Sequence, residues 1–409
     1  MGQATEYARY LGIRDRRLSL PPARLMERIA NRSVLVTGAT GCVGTALLRQ
    51  LSPLRPARLV GIGVDEPAEP LPGVEYHHVD IRDTTALRAL FRRSRPDVVV
   101  HLAAQRDPGL AESLVAQTVT TNVIGTANVI EQSLAFDVED LVYASTGKAM
   151  RFYTRDVYAA SKKIAEWLVV SAGTGHRPAV TVARFTHVVD NAIVLQKFRD
   201  WCRSGQALRL HDPSALFYAQ SAGEAAELLL GCLLAARSGQ PALCAIQDLE
   251  WPFRLRDIAE GVLGEFGNPP AIHIVGEQPG YEQGACPGLY DPALSGDISP
   301  LLNAVEGRSL LDAGVPGVDV VAVATEKGSA MDEQIAQLHE ARLDASTPEP
   351  AVRELLDRTA RRLLDVTMAI ASDEVVARVD KLMRQADPGT FSPAHRVAQQ
   401  SIRERLGTR

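Results

Sequence analysis

The segment SVLVTGATGCVGTALLRQL, residues 33–51, limits the possible folds more than any other stretch of the chain. Val34, Leu35 and Val36 make a short apolar run that stops near a glycine, as a strand buried on both faces does. From Gly44 onward Ala46, Leu47, Leu48 and Leu51 follow helical spacing. Gly38, Gly41 and Gly44 lie between, as GxxGxxG. Such a turn is tight, lets a pyrophosphate approach the backbone, and aims free helix N–H groups at negative charge. A glycine triplet alone is equally a glycine-rich turn. Here a strand precedes it, a helix follows, and Asp65 ends the next strand 21 residues past Gly44. A carboxylate at that distance suits an adenosine ribose 2′-hydroxyl. Asp65 and Glu66 would repel a 2′-phosphate, and TGATGCVG holds no cation, so the expected cofactor is NAD rather than NADP. Thr40, Cys42 and Val43 within the loop, and Ile81 and Leu102 further on, complete the expected cofactor wall. Cys42 suits small-residue packing better than redox chemistry. Asp80 is either an acceptor for the adenine amino group or the N-cap of a helix starting near Thr84.

The pattern then repeats. RLVGIGVD, VEYHHVDIRD, DVVVHLAA, LVYAST and VTVARF read as strands, and TTALRALFRR, TNVIGTANVIEQSL and YAASKKIAEWLVV as helices between them. Strands alternating with helices require a parallel sheet covered on both faces, so residues 33–186 are expected to form a doubly wound α/β domain. After residue 186 the alternation fades into amphipathic helices and short strands, which predicts a smaller α/β substrate cap over 187–295. Residues 296–409 read as a helical C-terminal extension, with a break at STPEP. Residues 1–32 read as a helical lead-in interrupted by Pro21 and Pro22.

Forty-four basic residues against forty-nine acidic ones give a net charge of -5, which argues against electrostatic nucleic-acid binding. Cys42, Cys202, Cys232, Cys244 and Cys286 are dispersed without a CxxC pair, which suits reduced cytoplasmic thiols and no structural metal. His77 and His78 suit packing and surface positions better than metal ligation. No apolar run approaches membrane-spanning length, and the charged N-terminus does not resemble a secretory signal. The expectation is a cytoplasmic protein.

VYAASKKIAE places Tyr158 and Lys162 four residues apart, on one helical face. A phenol of ordinary pKa about 10 is a weak base at neutral pH. A nearby ammonium and a positive nicotinamide favour its phenolate, which can take a proton from a substrate hydroxyl as hydride leaves the same carbon. Ser145 and Thr146, ending the preceding strand, are placed to hydrogen-bond that hydroxyl.

TGATGxVG, HLAA, TNVxGTxNVI, ST-x-KA, YxxSK and ARF, in this order, resemble the extended short-chain dehydrogenase/reductases. More narrowly, HLAAQRDPG, LVYASTGKA and YAASKKIAE resemble the polysaccharide-biosynthesis branch, which contains UDP-N-acetylglucosamine 4,6-dehydratases. The resemblance covers about residues 33–282. It implies a Rossmann-type sheet and a cap that includes SAGEAAELLLGCLLAA. It also implies that Asn122 supports the active site, that Ala103 and Ala104 line the cofactor, and that the helices bearing Asn122 and Tyr158 form a homodimer. A regulator built on this fold would commonly lose the tyrosine or the lysine, and both are present.

Departures from the branch are informative. STDKA has become STGKA, so Gly147 replaces an acid while Lys148 remains. In the family that pair performs elimination: the lysine takes the proton next to the ketone and the acid protonates the departing hydroxyl. With Gly147, Lys148 returns its own proton, Tyr158 or water supplies one, or no elimination occurs. Leu216 and Gln278 stand where arginines hold a nucleotide diphosphate, and His187 stands at a usual asparagine. Lys197, Arg209 or His211 would have to take over the phosphate. Arg106, His187, Lys197 and Arg209 are the expected substrate contacts. The expected activity is an NAD-dependent dehydratase acting on a sugar without a nucleoside diphosphate, such as a nucleoside or glycoside of secondary metabolism. The alternatives are a sugar epimerase and an ordinary nucleotide-sugar 4,6-dehydratase.

Overall fold

The structure, a computed structural model, describes residues 3–276, 278–281, 288–289, 298–324, 331–343 and 346–407. Cys286 lies outside the described residues. The chain runs through α1 (Gln3–Gly12), α2 (Pro22–Ile29), β1 (Ser33–Thr37), α3 (Cys42–Leu51), β2 (Arg58–Gly63), β3 (Glu75–His78), α4 (Thr84–Ser94) and β4 (Val98–His101). Next come α5 (Pro108–Ser113), α6 (Val115–Val119), α7 (Gly125–Ala135), β5 (Asp140–Thr146), α8 (Val157–Ala172) and β6 (Ala179–Phe185). Then follow β7 (His187–Val188), α9 (Ile193–Arg203), β8 (Leu208–Leu210), β9 (Leu216–Phe217), β10 (Ala219–Gln220), α10 (Ala222–Ala235), β11 (Ala242–Ile246), β12 (Phe253–Arg254), α11 (Leu255–Leu263) and β13 (Ile272–Ile274). After β14 (Leu310–Leu311) and β15 (Val318–Ala322) come helices Asp332–Leu343, Glu349–Ile370, Asp373–Gln385 and Pro393–Arg405.

One sheet has the order β14-β15-β11-β6-β5-β4-β1-β2-β3. The seven strands from β11 to β3 are parallel. The direction of winding reverses between β1 and β4, where the carboxyl ends of the strands open a crevice suited to a dinucleotide. Every residue of β4 is buried, as a strand covered on both faces requires. The doubly wound α/β expectation therefore matches the observed sheet.

Three placements differ from the expected divisions. SAGEAAELLLGCLLAA does not sit in the cap. It forms α10, buried along most of its length and packed against α3 and β6, and β11 after it pairs with β6. A helix apolar on all sides satisfies itself only inside a core. Within the C-terminal extension, β15 pairs antiparallel with β11 and lengthens the main sheet, so this region is helical but not wholly so. The lead-in divides: α1 lies on α11, with Tyr7 and Tyr10 in one core with Phe198 and Phe253, whereas Leu25 and Ile29 of α2 join the main core.

The helix Glu349–Ile370 crosses α6 and α8. Its Val352, Leu356, Leu363 and Leu364 share a core with Val119, Val157, Ala160 and Ile164. Each such buried aliphatic side chain contributes roughly 1.5–3 kcal/mol. That helix thus covers, from within the same chain, part of the face through which a homodimer was expected. We expect light scattering at micromolar concentration to give the mass of one chain. A mass twice as large would mean that a second copy docks elsewhere.

Candidate active site

Two glycines of the crevice, Gly38 and Gly44, leave no room for a side chain. Gly38 has φ +67°, and a Cβ there would lie 2.8 Å from the Ala103 nitrogen. A Cβ on Gly44 would lie 2.3 Å from the Gly38 carbonyl oxygen. At Gly41 such an atom would meet only that oxygen, at 3.3 Å, so the turn stays open on its outer side. The first turn of α3 starts there, and its leading N–H groups have no intrahelical acceptor. Thr40, Cys42 and Val43 are half-buried around this turn, and burial pushes the Cys42 thiol up to about 11, so it stays protonated. Asp65 is exposed just past β2, as a ribose-binding carboxylate would be. These features fit a dinucleotide. Gly44→Ala should weaken NAD binding about fivefold or more, because the forced strain exceeds ~1 kcal/mol; calorimetry showing unchanged binding would contradict this fit.

Of the two roles expected for Asp80, the structure gives the N-cap to a neighbour. Asp83 caps α4 by accepting from the Thr85 and Ala86 N–H groups, while Asp80 is held by Arg82. That hydrogen-bonded guanidinium keeps the Asp80 carboxyl below its ordinary range. Ile81 is buried, and its carbonyl accepts from Asn128 Nδ2 at 2.9 Å.

A one-way hydrogen-bond chain fixes the floor of the crevice. Thr37 Oγ1 accepts from the Leu102 and Ala103 N–H groups, both at 3.1 Å, and therefore donates to His101 Nδ1 at 2.7 Å. His101 Nε2 reaches Thr126 Oγ1 at 3.0 Å, and Thr126 donates to the Asn122 carbonyl at 2.7 Å. Burial, with a smaller contribution from Lys162, pushes His101 down to about 3, so it stays neutral as this chain requires. Leu102, Ala103 and Ala104 follow directly and are half-buried along the crevice. Asn122 lies in a π-helical turn between α6 and α7. Its Oδ1 accepts from the Gln105 N–H at 2.8 Å, and its Nδ2 donates to Ser161 Oγ at 3.0 Å. It therefore ties the loop after β4 to α8.

Asp156 caps α8, which presents Tyr158 and Lys162 on its second and sixth residues. Burial pushes the Tyr158 phenol up to about 12, opposed by a hydrogen bond from Thr146 and by the Arg106 charge. Lys162 donates to the Ala144 carbonyl at 2.7 Å, its ammonium lies 4.1 Å from the Tyr143 ring centre, and burial pushes it down to about 7. Desolvation thus dominates the Tyr158 phenol, and the positive charge that opposes it is Arg106 rather than the expected Lys162.

Ser145 is engaged elsewhere than expected. It donates to Glu166 at 2.7 Å, and Glu166 accepts from Arg184 at 2.6 and 3.1 Å. Arg184 is 1% exposed and also donates to Glu306, at 2.6 and 2.7 Å, and to the Leu301 carbonyl. Only Thr146 of the pair reaches Tyr158. Sequence reasoning missed Glu166, Arg184 and His101. All three were visible as polar residues inside otherwise apolar helix or strand patterns.

Among the expected substrate contacts, Arg106 is exposed and near enough to Tyr158 to influence its ionisation. Lys197 is exposed on α9, and Arg209 is exposed between buried Leu208 and Leu210. His187 sits in an aromatic cluster instead: its Nε2 is 2.8 Å from the Tyr10 hydroxyl and its ring centre 4.9 Å from Phe217. Burial pushes it down to about 4. Leu216 is 58% exposed, and Gln278 is exposed on a turn with Tyr281. Lys148 Nζ lies 3.2 Å from Asp156 Oδ2 and donates to the Gly280 carbonyl at 2.9 Å.

Comparison with known proteins adds sequence relatives to this geometry. The family described as "Polysaccharide biosynthesis protein" matches residues 34–283. The probable polysaccharide biosynthesis protein EpsC of Bacillus subtilis is 26% identical over 279 residues, which is 64% of this chain and 46% of EpsC. The chain therefore spans about half the length of that relative. A dTDP-glucose 4,6-dehydratase of Neisseria meningitidis is 32% identical over 116 residues, 26% of this chain and 32% of the enzyme. The crystal structure of Thermus thermophilus UDP-glucose 4-epimerase, a complex with NAD, aligns with TM-score 0.53 at 22% identity, over 61% of this chain and 88% of the epimerase. At that identity the likeness is one of fold. Among the described residues no helix is long and apolar enough to cross a membrane.

Proposed function

The chain belongs to the polysaccharide biosynthesis protein family, and from that premise we propose that it is an NAD-dependent sugar dehydratase working by transient oxidation. The observation that carries this is Tyr158, half-buried on its helix, hydrogen-bonded by Thr146 and followed one turn later by Lys162. Bound at the glycine turn, NAD would accept a hydride from the sugar and return it within the same cycle. Gly38, Gly41 and Gly44 would admit its pyrophosphate, Asp65 would take its ribose hydroxyls, and Asn122 holds the loop that lines it. Tyr158 takes the proton of the reacting hydroxyl while Thr146 orients it. The resulting ketone acidifies the neighbouring C–H, and Lys148 removes that proton so that a hydroxyl leaves as water.

The dehydratase relative supports elimination, whereas the side chain missing at Gly147 favours an epimerase, which needs no leaving-group acid. Mass decides: a dehydrated product is lighter by one water, and an epimer has the mass of its substrate. For the substrate we propose a sugar without a nucleoside diphosphate. This is supported by the exposed Leu216 and Gln278 at the positions of the family's phosphate-holding arginines, since neither makes a charge-assisted bidentate contact. The test is calorimetry with UDP, a UDP-sugar and a panel of uncharged nucleosides and glycosides, followed by mass analysis of turnover. Uncharged ligands should bind with little dependence on salt. Tight, salt-sensitive UDP binding would return the protein to ordinary nucleotide-sugar chemistry.

A further inference from the structure

We infer that Asp156 replaces the acid missing at Gly147, as the positioning partner that makes Lys148 a two-way proton carrier. This rests on the dehydratase reading and identifies the group that compensates for the lost side chain. The loop position itself is filled from elsewhere: a Cβ on Gly147 would lie 2.8 Å from Leu301 Cδ2, and Leu301 is buried. The segment carrying Leu301 is anchored by Arg184, which donates to the Leu301 carbonyl at 3.0 Å. A side chain at residue 147 would have to move the Leu301 side chain out of that space.

A carboxylate reaches Lys148 from α8 instead. The Asp156 side chain is 2% exposed and held at both oxygens: Oδ1 accepts from the Ala159 N–H at 2.9 Å, and Oδ2 lies 3.2 Å from Lys148 Nζ. The Asp156 N–H donates to Thr154 Oγ1 at 3.1 Å, which fixes the residue further. Two residues on, Tyr158 feels the same negative charge. His211 lies near enough to feel the Lys148 charge, its ring centre 5.0 Å from that of Tyr281, and the Gly280 carbonyl accepts from Lys148.

The elimination then balances on one lysine. The Lys148 amine takes the proton from the carbon beside the ketone. The C–H electron pair becomes the new C=C bond as the C–O bond of the leaving hydroxyl breaks. The Lys148 ammonium gives its proton to that hydroxyl, which departs as water, and the lysine ends as the amine it began as. Asp156 remains a carboxylate throughout, touches no reacting atom, and holds the ammonium in place between the two transfers.

The test compares the full-length enzyme with its Asp156→Asn and Asp156→Glu variants. Asparagine caps a helix as well as aspartate does, so α8 keeps its N-terminus. The placement of Lys148 is read as the rate of its modification by a small acylating reagent at one fixed pH, followed by peptide mass. In Asp156→Asn that rate should rise severalfold, because the buried carboxylate 3.2 Å away no longer holds the amine. Reduction of bound NAD on adding sugar should persist while water loss slows by about tenfold or more, and Asp156→Glu should restore part of it. An unchanged modification rate overturns the proposal, and so does a faster one with undiminished water loss. A wild-type product isobaric with its substrate overturns the dehydratase reading and this role together. A faster modification of Lys148 in Asp156→Asn would then locate the failure in the reaction rather than in the Lys148–Asp156 pair.

Discussion

Tyr158→Phe should lower the rate of sugar oxidation by roughly 10²–10⁴-fold, the range supplied by a positioned general base. The substitution removes one oxygen from a half-buried ring and leaves the Thr146 hydroxyl without that acceptor, at a cost of about 1 kcal/mol. Dinucleotide binding should survive, because the glycine turn and Asp65 lie on other elements. The measurement is single-turnover reduction of bound NAD on mixing with substrate. A rate within threefold of wild type would remove Tyr158 from the chemistry. The wild-type rate should also climb with pH across the neutral range. Burial holds the phenol near 12, so the phenolate fraction grows tenfold per unit below that value. Tyr158→Phe should abolish this dependence.

Arg184→Met should cost about 3–5 kcal/mol of stability, the usual penalty for leaving buried charges without their partner. Burial alone would lower the ionisation of Arg184, yet Glu166 and Glu306 together raise it above its ordinary value. Burial likewise works to raise the Glu166 carboxyl, and the Arg184 charge holds it below its ordinary value instead. Removing the guanidinium therefore strands two carboxylates beside the end of β5 and frees the Leu301 carbonyl. The shift in denaturation midpoint measures the loss. Arg203→Ala is the control, since Arg203 and its partner Asp200 are 64% and 69% exposed and such pairs contribute about 1 kcal/mol or less. If both variants unfolded at the same midpoint, the buried triad would not be what joins the C-terminal segment to the sheet.

Part of this site is local chemistry and was legible along the chain. A strand ending at Gly38, a helix beginning by Gly44 and an acid at residue 65 state their relation through spacing alone. Tyr158 and Lys162 share a helical face for the same reason. The homodimer face and the fate of His187 were not legible, because an apolar or aromatic residue announces that it will be covered without naming its cover. Helix Glu349–Ile370 covers part of that face on α6 and α8, and Tyr10 from α1 meets His187.

The alternation of elements, the glycine turn and the residues available to move a proton are all written locally, since each depends on periodicity or steric demand within a few residues. Long-range packing puts α10 in the core, adds β15 to the main sheet beside β11, sets Ser145 on Glu166, and brings Leu301 into the space beside Gly147. It also brought Asp156 to Lys148. Burial, desolvation and ion pairing are set by whatever distant segment arrives at a group, and that is a property of the packed chain rather than of its local pattern.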